Sequence, residues 1–165
     1  VGARVLANIR AQGLLLLGGP EVEPVRALLA ELLAAEPVRA RLAGMVTGLD
    51  IRYPVGEASG HPLAGARLPH LELDTEGGPA TAAELLRVGG GLLLHLAGRR
   101  DLRWAGRLWS DRVATVAVRP GAAAAALDAD AVLVRPDGYV AWAGGAKEAA
   151  LDALRRWFGP PEPGL

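Results

Sequence analysis

No cysteine occurs among the 165 residues of this chain. That removes disulfides, thiolate metal sites and every reaction that needs a sulfur nucleophile. Excess charge of one sign is missing as well. The 18 basic residues balance the 18 acidic ones, so no general field draws nucleic acid or an anionic membrane to the surface. Lysine is nearly absent, with Lys147 alone among the basic residues. Abundant Arg, Ala, Gly and Leu read as the coding bias of a GC-rich genome, so the arginines do not by themselves signify phosphate recognition. No apolar run approaches the roughly 20 residues of a spanning helix, and no charged-then-apolar leader opens the chain, which points to a soluble cytoplasmic protein. The two serines, Ser59 and Ser110, lie in no nucleophile-elbow pattern. His61, His70 and His95 fall in three separate segments, so neither a hydrolytic triad nor a histidine metal site is expected.

What is present is apolar. With 51% hydrophobic residues the chain can bury one core, and a domain plus an appendage is the natural division. Residues 1–53 read as a helical arm, 54–69 as a linker and 70–165 as an α/β domain. In the arm, Val1, Val5 and Ile9 recur at helical spacing, and Gly13 or Gly18 is the expected stop. Pro24 suits the first turn of a second helix with Val25, Leu28, Leu29, Leu32 and Leu33 on its apolar face. Pro37 opens a third, whose face is Val38, Leu42, Met45 and Leu49. The stretch from Pro54 to Pro69 is rich in Gly and Pro and has neither period, hence the linker.

Beyond it, strands alternate with helices. Strands are expected at Leu71–Leu73, Leu92–Leu96 and Val113–Val118. A short helix is expected at Thr81–Arg87 and a longer one with Leu102, Ala105, Leu108 and Trp109 inward. The run Ala131–Trp142, AVLVRPDGYVAW, reads as a hairpin: four apolar residues, a turn with Pro136 second and Gly138 fourth, and a returning strand from Tyr139. Leu151, Leu154 and Phe158 mark a closing helix. Trp104, Trp109, Trp142 and Trp157 are expected to pack in the core. Gly18-Gly19-Pro20 and Gly89-Gly90-Gly91 read as turns, because neither has the G-x-G-x-x-G spacing between a strand and a helix that cradles a pyrophosphate.

As a string, LVRPDGYVAW closely resembles the near-terminal signature of the flavin-dependent aromatic hydroxylases of the phenol-hydroxylase type, especially those acting on aromatic polyketides. Three further segments resemble the same family in the same order: VGARVLANIRAQ (Val1–Gln12), MVTGLDIRY (Met45–Tyr53) and GARLPHLEL (Gly65–Leu73). The resemblance implies a thioredoxin-like domain, a mixed sheet flanked by helices, preceded by an α-helical arm. It implies that the intact enzyme uses FAD and NAD(P)H and inserts one oxygen atom into an aromatic or quinonoid substrate. It also implies that the flavin-holding groups lie outside this sequence. A chain opening on Val1 instead of Met then reads as a processed chain or a fragment.

In such a fold redox chemistry needs a thiolate after the strand Leu92–Leu96, where this chain has Ala97-Gly98-Arg99-Arg100. It also needs a cis-proline where this chain has Asp128-Ala129-Asp130. The domain is therefore expected to be a redox-inactive scaffold with no catalytic, cofactor-binding or metal-binding residue of its own. Its partners would be the flavin and substrate domains of the parent enzyme, with self-association through the arm. By the resemblance, Asp50, Arg52 and Tyr53 approach the substrate end of the flavin domain, as substrate-side or interdomain contacts. The other reading is an independent, redox-inactive protein-interaction module.

Overall fold

Residues 1–56, 60–96 and 98–161 are described by the computed structural model. Ser59 and Ala97 lie outside the described residues. The chain divides into two units, Val1–Tyr53 and Pro54–Leu165.

The first unit is helical. Helix α1 (Gly2–Leu16) runs through Gly13 and stops at Gly18-Gly19, both at positive φ. One glycine in a helix costs only about 1 kcal/mol, which four following leucines outweigh, whereas left-handed backbone ends the helix outright. Helices α2 (Glu23–Leu32) and α3 (Glu36–Thr47) each carry proline in the first turn, where its missing N–H breaks no hydrogen bond. Gly48, at φ 74°, ends α3. None of the three helices contributes a buried residue.

The second unit is a mixed α/β sheet of thioredoxin-like topology. Its strands are β1 (Glu72–Thr75), β2 (Gly78–Thr81), β3 (Gly91–Leu96), β4 (Val113–Val118), β5 (Ala131–Val134) and β6 (Val140–Gly144), in the order β2-β1-β4-β3-β5-β6. Helix α4 (Ala82–Leu85) is opened by a capping box between Thr81 and Glu84, and α5 (Arg100–Arg107) joins the parallel pair β3 and β4. Helix α6 (Ala122–Leu127) precedes the β5-β6 hairpin, and α7 (Lys147–Phe158) closes the chain. The strand β3, apolar but for His95, pairs on both sides, which buries Leu92, Leu93 and Leu94 to 1% exposure or less. Leu92 and Leu94 face α6 residues Ala124 and Leu127 on one side of the sheet. Leu93 faces Leu102, Ala105 and Trp109 of the α5 region and Leu154 of α7 on the other. Arg112 and the Trp109 indole N–H donate to the carbonyls of Phe158, Gly159 and Pro160, tying off the end of α7.

The hairpin turns where expected: Gly138 lies at φ 82° and its N–H donates to the Arg135 carbonyl at 2.9 Å. Four expectations are corrected. The first strand lies at Glu72–Thr75 and pairs antiparallel with β2, a strand missed because Gly78-Pro79 reads as a breaker. Helix α6 was hidden in a run of alanines that has no periodicity to read. Trp104 is 52% exposed, whereas Trp109 and Trp142 are buried. Gly89 is a turn residue at φ 81°, but Gly91 opens β3, where an added Cβ would sit 2.2 Å from the Phe158 ring. The stretch read as a linker is hydrogen-bonded at its far end: Gly65 donates to Val140, Val140 to Ala66, and Leu68 to Gly138.

Candidate functional site

Two clusters of polar side chains stand out, one in each unit. In the helical unit, Gly48 breaks α3 and sends the chain back over the helix end, where the Ile51 N–H donates to the Gly48 carbonyl at 3.2 Å. Gly44 lets this return approach closely, since a Cβ there would meet the Asp50 Cβ at 3.2 Å. Asp50 is thereby placed against α1, where its carboxylate pairs with the Arg4 guanidinium. Between α1 and the end of α3 lies a hollow of about 430 Å³. Its polar lining includes Arg4, Asn8, Gln12, Asp50 and Arg52, over apolar residues that include Val5, Ile9, Met45 and Ile51. The structure thus brings Asp50 and Arg52 together on one cavity. Tyr53 is half-buried and is not among the described lining residues. Sequence reasoning missed Arg4 and Asn8, because a contact between positions 4 and 50 leaves no local signal.

The second place is the carboxyl end of β3. Arg99 fills it with a clamp. Its guanidinium donates to both carboxylate oxygens of Asp101, at 3.1 and 2.9 Å, to the Gly145 carbonyl at 2.6 Å, and to Asp130. The bidentate bond to Arg99 holds the Asp101 carboxyl down to about 2, and the same partner raises Arg99 above its already high value. A Cβ at Gly145 would fall 2.6 Å from the Asp130 carboxylate, which would have to give way. An ion-pair cluster joins the ends of β3, β5 and β6. Arg99 and Asp101 stand two positions apart in the sequence. Asp130, 31 positions away, could not be paired with them.

His61, His70 and His95 are not gathered, and among the described residues no group of three or more His, Asp or Glu could hold a metal ion. His95 is buried at 4% exposure, with Nδ1 bonded to the Leu96 carbonyl.

A family model described as aromatic-ring hydroxylase, C-terminal, matches residues 61–161. The chain belongs to that family. Among curated proteins it is 40% identical over 168 residues to a 12-dehydrotetracycline 5-monooxygenase/anhydrotetracycline 6-monooxygenase of Streptomyces rimosus subsp. rimosus, covering 98% of this chain and 33% of that protein. Among solved structures it matches BexE, studied for oxidation during BE-7585A biosynthesis, at 48% identity and a TM-score of 0.78, covering 98% of this chain and 33% of that one. The flavin-dependent monooxygenase PieE, solved with FAD and substrate, matches at 25% identity and a TM-score of 0.55 over 86% of this chain and 31% of that one. The chain spans about a third of the length of the relatives it matches. No described helix is long and apolar enough to cross a membrane.

Proposed function

We propose that this chain is the non-catalytic C-terminal portion of an FAD-dependent, NAD(P)H-using monooxygenase that hydroxylates an aromatic polyketide. In this reading the arm and the α/β domain cover and stabilise the flavin and substrate domains or form a subunit contact. The observation that carries it is the helical unit. Leu14, Leu16 and Leu17 are 64%, 82% and 78% exposed, and Ile9 and Leu28 more than half exposed, in a chain one third the length of its relatives. Burying each such side chain is worth roughly 1.5–3 kcal/mol, so surfaces like these are built to be covered.

The residues present do not fit the flavin itself. Holding a pyrophosphate takes a glycine turn running from a strand into a helix. Here Gly89-Gly90-Gly91 runs from a helical turn into a strand. Two of its glycines are spoken for by packing: a Cβ at Gly90 would meet the Arg112 carbonyl and one at Gly91 the Phe158 ring. FAD is therefore assigned to the rest of the parent. Asp50 and Arg52, with Tyr53 beside them, are assigned to the face that meets the substrate-bearing part.

The test is twofold. Purified, the chain should be colourless after gel filtration and leave NAD(P)H unoxidised; stoichiometric flavin absorption would overturn the assignment. The reading frame upstream of Val1 should encode a flavin-binding region, and a stop codon there would favour an independent interaction module.

A further inference from the structure

We propose that the outward face of α5, together with Lys147, is a docking surface for an acidic segment of a separate protein. Arg100, Arg103, Trp104 and Arg107 follow one another at i, i+3, i+4 and i+7, which lays them along one stripe of the helix about 10 Å long. All four are exposed, while Leu102, Ala105 and Gly106 on the opposite side are buried. Trp104 is 52% exposed, and among the described residues of the α/β domain Val88 is the only other large apolar side chain so open. The Lys147 ammonium, at the start of α7, stands 4.8 Å from the centre of its ring.

The charge of this face is poorly matched within the chain. Asp101, the one acid on α5, is held by Arg99. Arg103 reaches Glu76 at 3.6 Å, in an exposed pair that solvent screens. Arg100 and Arg107 pair with no acidic side chain among the described residues. Four cations therefore surround an open indole in a chain whose formal charge is zero.

Trp and Arg are the residue types concentrated at the energetic centres of protein contacts. The guanidinium fork takes a carboxylate through two hydrogen bonds, and the indole supplies apolar area beside it. The arginines advance along the helix axis by about 4.5 and 6 Å, close to the spacing of carboxylates on successive turns of a helix or at alternate positions of a strand. A nucleic acid suits the face less, because the neutral chain exerts no long-range pull on a polyanion and one short helix spans few phosphates. The arm exposes leucines, the currency of permanent contacts; this face is charged, as in contacts that form by electrostatic steering and release again. The inference stands apart from the parent-enzyme reading, since it uses only the α/β domain.

The test uses the full chain and a fluorescein-labelled octaglutamate peptide. Anisotropy should show saturable binding with a Kd below about 1 mM at about 20 mM salt, weakened about tenfold at about 200 mM. In NMR the Trp104 indole N–H should move on addition of the peptide, while that of Trp109, bonded to the Gly159 carbonyl, holds. Reversing charge with Arg103→Glu and Arg107→Glu together should weaken binding at least about tenfold, and Trp104→Ala about tenfold with the salt dependence kept. The same charge change on other elements, Arg87→Glu with Arg155→Glu, should cost less than about threefold. Absence of binding at low salt, equal losses from both charge-reversed pairs, or an unmoved Trp104 indole would each overturn the surface. Tighter binding of a single-stranded DNA octamer through the same residues would overturn the acidic protein as its occupant.

Discussion

Arg99 and His95, four positions apart, show opposite solutions to placing a polar group near the core. Arg99 is partly exposed and finds three partners, so truncating it should loosen the ends of β3, β5 and β6 together. Arg99→Ala is expected to lower stability by roughly 1 kcal/mol, because solvent screens such pairs, and thermal unfolding would show a modest drop. The pH dependence follows from Asp101, whose folded carboxyl titrates near 2 against an ordinary value of 3.8. A depressed carboxyl stabilises the fold fully above its ordinary value and loses that contribution as pH falls toward 2. Wild-type stability should therefore decline across that acid window more steeply than that of Asp101→Asn, which a pair of urea titrations would compare. His95 is the reverse case. It is buried, bonded through Nδ1, and its Nε2 has no hydrogen-bond partner among the described residues. The Leu96 carbonyl also accepts from the Arg99 N–H, so it would not be orphaned by losing the imidazole. His95→Leu should leave the melting temperature unchanged or raise it, by up to about 1 kcal/mol of stability. A clear loss would mean that Nε2 has a structural task.

The secondary-structure elements depend on close approaches that only glycine permits. Gly106 on α5 faces β4, where a Cβ would come within 2.1 Å of the Thr115 hydroxyl and 2.9 Å of Leu93. Helix propensity alone makes alanine the better residue there. Contact wins, because the β-branched Thr115 and the buried Leu93 side chains would both have to give way. Gly106→Ala is expected to destabilise the α/β domain by about 1–3 kcal/mol in chemical denaturation. A neutral or stabilising result would show that α5 is not seated on β4 as described. The same reasoning explains how far the elements could be read in advance. β3, β4, the hairpin and α7 carry strong apolar patterns bounded by turn residues, so local sequence determines them. β2 and α6 are built from Gly-Pro and from alanines, and only pairing with β1 and packing on the sheet select their states.

For the whole molecule, the contrast between the units is the main physical fact. Among the described residues the fully buried core lies within Pro54–Leu165, whereas no residue of helices α1, α2 or α3 is fully buried. Unless another surface covers them, the leucine-rich faces of α2 and α3 should drive association. Sedimentation of the full chain is expected to show species larger than a monomer, and a form beginning at Gly56 should be monomeric. If both sediment as monomers, the arm satisfies its apolar surface within the chain.

The sequence by itself determined the α/β class, the helical arm, the absence of thiol chemistry and the family. Each of these rests on residue type, on spacing along the chain or on a contiguous string. Only the tertiary structure decided that Arg99 meets Asp130 and Gly145 at the carboxyl end of β3, and that Arg4 meets Asp50 over a cavity. It likewise decided that His61 reaches Asp128, and that Trp104 faces solvent while Trp109 is buried. Those outcomes depend on which distant residues the sheet order makes neighbours, and contacts across 31, 46 or 67 positions leave no periodicity for a sequence to display.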